Sequence, residues 1–414
     1  MNKKLFFLAI AALGLAACSN DDVVEINQSL EESNTINFRP LVNNTTRATT
    51  ASDVSLANIS PFKVSAYTNG NEASTAYIDD VTYATDNDGE GVYFVGGSST
   101  AAGQYYWPTA NLDFFAYKTS VSTEIVRKAY NMFDITPTAT ASNPTTQGDF
   151  VFAALSNVGK TQYGASGVPL NFKHAETKIS IKLKNSQSSL DFDVQAWKIV
   201  NVKNSGRFTY AHGELTSNKA TVPLTNGMWS DLSTEATPAA AANTSLTSYT
   251  SIFTKTISGS LAEASDLDNS SASIGSMILI PQAITSCTAY SGSTANDAIT
   301  TGSYIAVKMI IKNHANSVVI ADATQNVGEN ESAKNNWAIW PVPAITWAPG
   351  KHYTYTIDLG DGGYWELNKT GGDDELDAIL DNSVIKFANV SVDDWSDHDA
   401  DAETGGNQPI EVGM

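Results

Sequence analysis

Cysteine is nearly missing from this chain: its 414 residues include only Cys18 and Cys287. If Cys18 is modified, Cys287 has no partner, so no disulfide framework can form within one chain, and Cys287 is expected to pack as a small hydrophobe. Histidine is also scarce. His174, His212, His314, His352 and His398 stand apart, with no pair or carboxylate at metal-ligand spacing. No Gly-x-Ser-x-Gly elbow and no glycine-rich phosphate loop is present, and no cofactor signature replaces them. Positive charge is thin, with 24 Lys and Arg against 44 Asp and Glu, for a formal charge of -20. Such a chain is repelled by nucleic acid and by anionic lipid headgroups. These gaps leave no case for an enzyme, and stability must come from apolar cores and strand pairing.

Hydrophobic residues make up 42% of the chain and charged residues 16%, enough apolar material for two ordinary domains. Ser, Thr, Asn and Gly abound, a balance that suits turn-rich extracellular β-proteins. At the N-terminus, Lys3 and Lys4 precede an apolar run from Leu5 to Ala17. That run is too short to cross a bilayer but long enough for a signal peptide, residues 1–17. Leu15-Ala16-Ala17-Cys18 matches the lipobox of bacterial lipoproteins, in which the thiol is acylated and cleavage leaves Cys18 first. Acyl chains at about 0.8 kcal/mol per buried methylene would hold the product on the outer membrane. Ser19-Asn20-Asp21-Asp22 is similar to the acidic tag of surface-exposed lipoproteins.

Beyond the leader the prevailing period is two. Ile36, Phe38, Pro40 and Val42 alternate with Thr35, Asn37, Arg39 and Leu41. Pro40 predicts an edge strand, because proline cannot donate to a ladder. Phe62–Tyr67 runs into Asn69-Gly70, which predicts a two-residue hairpin. Further predicted strands are 77–83, 92–95, 112–117, 150–154, 178–184, 194–202, 277–280, 304–312 and 353–359. Ser233–Ser248 reads as a long loop, and short helices are expected near 260–267 and 373–380. The economical fold is all-β, with two antiparallel β-sandwiches in tandem. Residues 18–47 form a lipidated segment, 48–165 the first sandwich, and 166–414 the second with its tail.

Several local features carry two readings. Asp86-Asn87-Asp88-Gly89-Glu90 has the letters of a calcium loop and equally those of a hairpin turn. Tyr105-Tyr106-Trp107-Pro108 could stack on a sugar, although such rings more often cover a core, and the same holds for Trp340 and Trp347. His174 is expected to be a hydrogen-bonded structural residue. The acidic run Asp393 to Glu403 reads as a solvated tail.

Taken together, the segments resemble the fimbrillin family, the type V pilins of Gram-negative anaerobes. The resemblance rests on Tyr105–Pro108 with Leu112–Tyr117, Asp149–Ala154, Leu170–Ile179, Met277–Gln282, Trp347–Tyr355 and Val390–Trp395, in the family's order behind a lipobox. It implies two transthyretin-like sandwich domains, export as a lipoprotein and a place in surface fimbriae. It further implies that an extracellular arginine-specific protease cuts between Arg47 and Ala48, removing the lipid and the strand bearing Ile36, Phe38 and Val42. The polar stretch around Arg47 suits a protease, whereas Arg39 is followed by Pro40. A strand from another fimbrial subunit would fill the vacated groove. Candidate donors are Val384 to Val392, including Val390, and the terminal segment with Ile410 and Val412. Expected partners are other fimbrial subunits and a host or bacterial surface ligand, with no nucleic acid. The alternatives are a permanently lipidated anchor or tip subunit, or a monomeric carbohydrate-binding surface lipoprotein.

Overall fold

A computed structural model describes residues 34–42, 59–69, 75–85, 93–96, 103–120, 125–137, 148–164, 166–210, 228–233, 247–257, 265–266, 276–286, 302–322, 334–361, 364–367 and 387–394. The first half of the chain contributes strands β1 (Phe38–Val42), β2 (Phe62–Thr68), β3 (Ile78–Thr85), β4 (Tyr93–Val95), β5 (Leu112–Thr119), β6 (Ile125–Ala129), β7 (Met132–Ile135), β8 (Phe150–Val158) and β9 (Val168–His174), with a one-turn helix α1 at Lys160–Tyr163. Next come β10 (Thr177–Lys184), β11 (Leu190–Val202), β12 (Ser205–Thr209), β13 (Trp229–Ser233), β14 (Thr247–Ile257), β15 (Ser265–Asp266) and β16 (Met277–Leu279). The last are β17 (Ala283–Ile284), β18 (Tyr304–Asn313), β19 (Val319–Asp322), β20 (Lys334–Pro341), β21 (Ile345–Thr346), β22 (Lys351–Asp358), β23 (Tyr364–Leu367) and β24 (Phe387–Asp394). The protein is all-β.

The first unit is a barrel. Its strands run β1-β4-β3-β2-β5-β8-β9, and the parallel pairing of β1 with β9 closes the circuit. Strand alternation fills the interior: Phe62, Val64 and Ala66 from β2, Phe114 and Ala116 from β5, and Val151, Ala153 and Leu155 from β8 share one cluster with Ile36 and Phe38. The outer face of these strands is buried too, under a four-stranded sheet ordered β13-β12-β7-β6. Tyr67, Phe115, Phe150 and Phe152 meet Phe133, Phe208 and Trp229 there. Burial on both faces is why β8 reads as an unbroken apolar run rather than an alternating one. The cover joins distant parts of the chain, since β7 pairs with β12 in the register Ile135↔Gly206 to Met132↔Thr209.

The second unit is a two-layer sandwich. One sheet is ordered β15-β10-β22-β24, with β16 also on β10; the other is β14-β11-β18-β20-β23, with β19 also on β18. Ile179, Ile181 and Leu183 alternate inward from β10, and Lys182 and Lys184 point the other way. They meet Phe192, Val194 and Trp197 of β11 and Ile305, Val307 and Met309 of β18. Trp340 and Trp347 are fully buried in this core, and the Trp347 indole donates to the Tyr355 hydroxyl at 2.8 Å. The bland reading of these two aromatics is the structural one.

Several expectations change. The barrel continues through β9 to His174, past the boundary expected at residue 165, because β9 pairs with the whole length of β1 and closes the circuit. Strands β12 and β13, expected in the second unit, cover the first. Asn69-Gly70 is not a two-residue turn: β2 ends at Thr68 and its partner β3 starts at Ile78. The Asn69 amide is instead tied to Asp113 of β5 at 2.7 Å. Ser265 and Asp266, expected in a helix, pair with Leu183 and Lys182, an edge offering more than local helix propensity. Strands β13 and β14 take up both ends of the expected loop at 233–248. The remainder of that helix, the helix near 373–380, Asp86–Glu90 and Cys287 lie outside the described residues.

Candidate functional site

The segment from Asn34 to Val42 enters the barrel in two steps. First it lies antiparallel to Tyr105–Trp107: the Ile36 amide donates to the Tyr105 carbonyl at 2.7 Å, and the Trp107 amide to the Asn34 carbonyl at 2.7 Å. The Lys160 ammonium holds the Asn34 side chain at 2.6 Å. Then the segment becomes β1, parallel to β9 from Phe38↔Val168 to Val42↔Phe172. On the other flank β4 makes one register pair, Phe38↔Tyr93.

The expected edge strand is thus a closing strand, flanked on both sides. Pro40 is still accommodated by the asymmetry. The Val168 amide donates to the Asn37 carbonyl at 2.9 Å, so the backbone groups of Asn37 face β9. Directions alternate along a strand, so the Pro40 nitrogen faces the β4 side, beyond the Phe38–Tyr93 pair. The missing hydrogen falls where the ladder is weakest.

Ile36 and Phe38 are fully buried. The Phe38 ring stands edge-on to Tyr83 at 4.6 Å, Phe114 at 5.2 Å and Phe62 at 6.3 Å. Two such side chains contribute about 3–6 kcal/mol gross, at about 1.5–3 kcal/mol each. Gly167, immediately before β9, makes the close approach possible. Its φ is +75°, in the left-handed region that L residues avoid, and a Cβ built on it would lie 2.8 Å from the Asn37 side-chain oxygen and 3.3 Å from the Phe38 carbonyl carbon. Burial drives the Tyr83 hydroxyl pKa upward, with the neighbouring Tyr105 and Tyr77 adding to the shift.

The remaining predicted residues separate into two groups. Val390 is buried in the second unit's core and Val392 packs against it, both on β24 in its antiparallel ladder with β22. Cys18, Arg47, Ala48, Val384, Ile410 and Val412 lie outside the described residues; Val42 is placed by its backbone pairing with Phe172 alone. Tyr105 and Trp107 pack on the barrel core, leaving Tyr106 exposed. The Tyr77 and Tyr105 rings meet at 63°, an edge contact rather than a flat platform.

His174 is structural, as expected: its Nδ1 lies 3.0 Å from a carboxylate oxygen of Asp149, and both residues are buried. Glu176 accepts the Phe150 amide at 2.9 Å beside them. Other polar groups escaped sequence reasoning because they meet only through tertiary pairing. Ser180 Oγ lies 2.7 Å from His352 Nε2 and 2.6 Å from Ser276 Oγ. Asp80 gathers Lys63 at 2.6 Å and the Tyr117 hydroxyl at 2.8 Å, and the adjacent Arg127 bonds Asp79 at 3.0 Å. Burial, followed by the bond to Asp80, raises the Tyr117 pKa. Among the described residues no group of three or more His, Cys, Asp or Glu could hold a metal, and no helix is long and apolar enough to cross a membrane.

Residues 46–395 match the fimbrillin-like family. The chain belongs to that family. No curated protein matches it. Among solved structures, this fimbrillin-like chain is similar to a candidate cell adhesion protein from Bacteroides uniformis, at 13% identity and a TM-score of 0.41, covering 87% of this chain and 98% of that one. A candidate cell adhesion protein from Parabacteroides distasonis gives 12% identity and 0.42, with 87% and 98% covered. The tip fimbrial protein Mfa3 from Porphyromonas gingivalis, with a C-terminal truncation, gives 12% and 0.31, with 87% and 100% covered.

Proposed function

We propose that this fimbrillin-like chain is a non-enzymatic fimbrial adhesion subunit, exported to the outer membrane as a lipoprotein on Cys18 and released by cleavage after Arg47 for assembly by strand exchange. One observation carries the reading: the residues N-terminal to Arg47 supply the strand that closes the barrel, with Phe38 in its core. Loss of β1 would open a groove lined by the amides and carbonyls of β9 and by the rings around Phe38. An extended segment of another subunit supplies both the hydrogen bonds and the side chains to fill it.

The arginines favour Arg47 as the cut. The chain has four. Arg127 and Arg207 sit in β6 and β12 and are engaged by Asp79 and Asp134. Arg39 is followed by Pro40, which trypsin-like enzymes cleave poorly. Of the two candidate donors, β24 would have to surrender the burial of Val390, so the segment containing Ile410 and Val412 is the donor in this reading.

The N-terminus of the protein recovered from cells tests the proposal. A start at Ala48 together with ladder-forming multimers is the expected result, and Arg47→Ala is expected to leave lipidated monomers. Acylated Cys18 on every surface-located molecule would overturn the polymerising role and leave an anchor subunit or a glycan-binding lipoprotein.

A further inference from the structure

Asp113 shows how a buried polar group in the barrel can be well served. Asp113, fully buried, accepts from Asn69 at 2.7 Å, Ser156 at 2.5 Å and the Asn157 amide at 2.7 Å. Around the N-terminal segment the pattern fails. Both polar atoms of the Asn37 side chain, the Arg39 Nε, the Tyr83 hydroxyl and the Trp107 indole nitrogen are buried with no hydrogen-bond partner among the described residues. Asn37 and Arg39 are residues of the segment, the Tyr83 ring touches Phe38, and Trp107 is bonded through its backbone to Asn34. Asn37 is 2% exposed and Tyr83 fully buried.

A buried donor or acceptor without a partner loses its hydration and gains nothing in return. The apolar side chains of this strand therefore fit the seam while its polar ones do not. We infer that the resident strand is a deficient occupant, and that the seam selects a replacement with an aliphatic residue at the position of Ile36, an apolar residue in place of Asn37, an aromatic one in place of Phe38, and an acceptor within reach of the Tyr83 hydroxyl. This rests on the strand-exchange reading and adds to it the chemistry of the partner strand. Covalent attachment keeps the deficient strand in place, because a tethered segment has a high effective concentration. Cutting the tether removes that advantage, and the hydrogen-bond deficit then decides in favour of the newcomer.

Two measurements test it. In the uncut chain, Asn37→Leu, which keeps the branched shape, and Asn37→Ala are expected to raise the thermal midpoint by about 2–4 °C. A fall with both variants overturns the inference. After brief digestion by an arginine-specific protease, synthetic peptides spanning residues 34–42 are offered to the cut protein, one with the natural sequence and one carrying Asn37→Leu. At least about tenfold tighter binding of the leucine peptide is expected, an increment of about 1.4 kcal/mol. If the midpoints rise but neither peptide enters, strand exchange fails while the deficit at Asn37 stands. If both peptides enter equally and the midpoints do not rise, exchange stands and selection at Asn37 is overturned.

Discussion

Strands β1 and β24 look alike in sequence, both short, alternating and towards the ends of the chain, yet the fold uses them differently. β24 lies at the end of its sheet with β22 as its neighbour, and its inward residues Val390 and Val392 extend a core already assembled from two sheets. β1 lies between two strands and puts Phe38 in among three aromatic rings. Removing β24 would shorten a sheet; removing β1 would open a barrel. Judged by the cavity each would leave behind rather than by its place at an edge, β1 is the strand on which its unit depends more.

The largest expected effect is on the barrel. Phe38→Ala should cost about 3–5 kcal/mol in a denaturant titration, the usual toll for an aromatic truncated in a packed core. Gly167→Ala should cost about 1–3 kcal/mol, since the backbone is held at positive φ and the added methyl meets Asn37 and Phe38. Strain at that site should loosen β1 in particular, so faster amide exchange at Val168 than at Tyr355 is the accompanying signature. Smallest is Val390→Ala, at about 1–2 kcal/mol for the apolar surface lost at a sheet margin. Equal costs for Phe38→Ala and Val390→Ala would erase the distinction between the two strands.

Alternation was plainest in elements with one wet face, such as β10, where Lys182 and Lys184 alternate with Ile181 and Leu183. Strands β6, β7, β12 and β13 went unread because their order comes from pairing across the chain: Arg207 of β12 opposes Asp134 of β7, a relation no local window contains. The candidate site divides in the same way. Ile36 and Phe38 were legible as an alternating apolar pair, and the partnership of β1 with β9 was not. Asn37 passed for an ordinary outward polar residue; only its burial against Gly167 distinguishes it. Proline at position 40 gave a correct signal of missing hydrogen bonding, but one flank of a closed barrel satisfied it as well as an edge would.

The cover sheet made by β6, β7, β12 and β13 also imposes an order in time. A chain emerging N-terminus first presents Tyr67, Phe115, Phe150 and Phe152 before Phe208 and Trp229 have followed. Until then those aromatic rings lack part of their cover, because β12 and β13 follow β10 and β11 of the second unit in the chain. The folding chain therefore has a sticky intermediate built into its topology, one that a chaperone would have reason to hold.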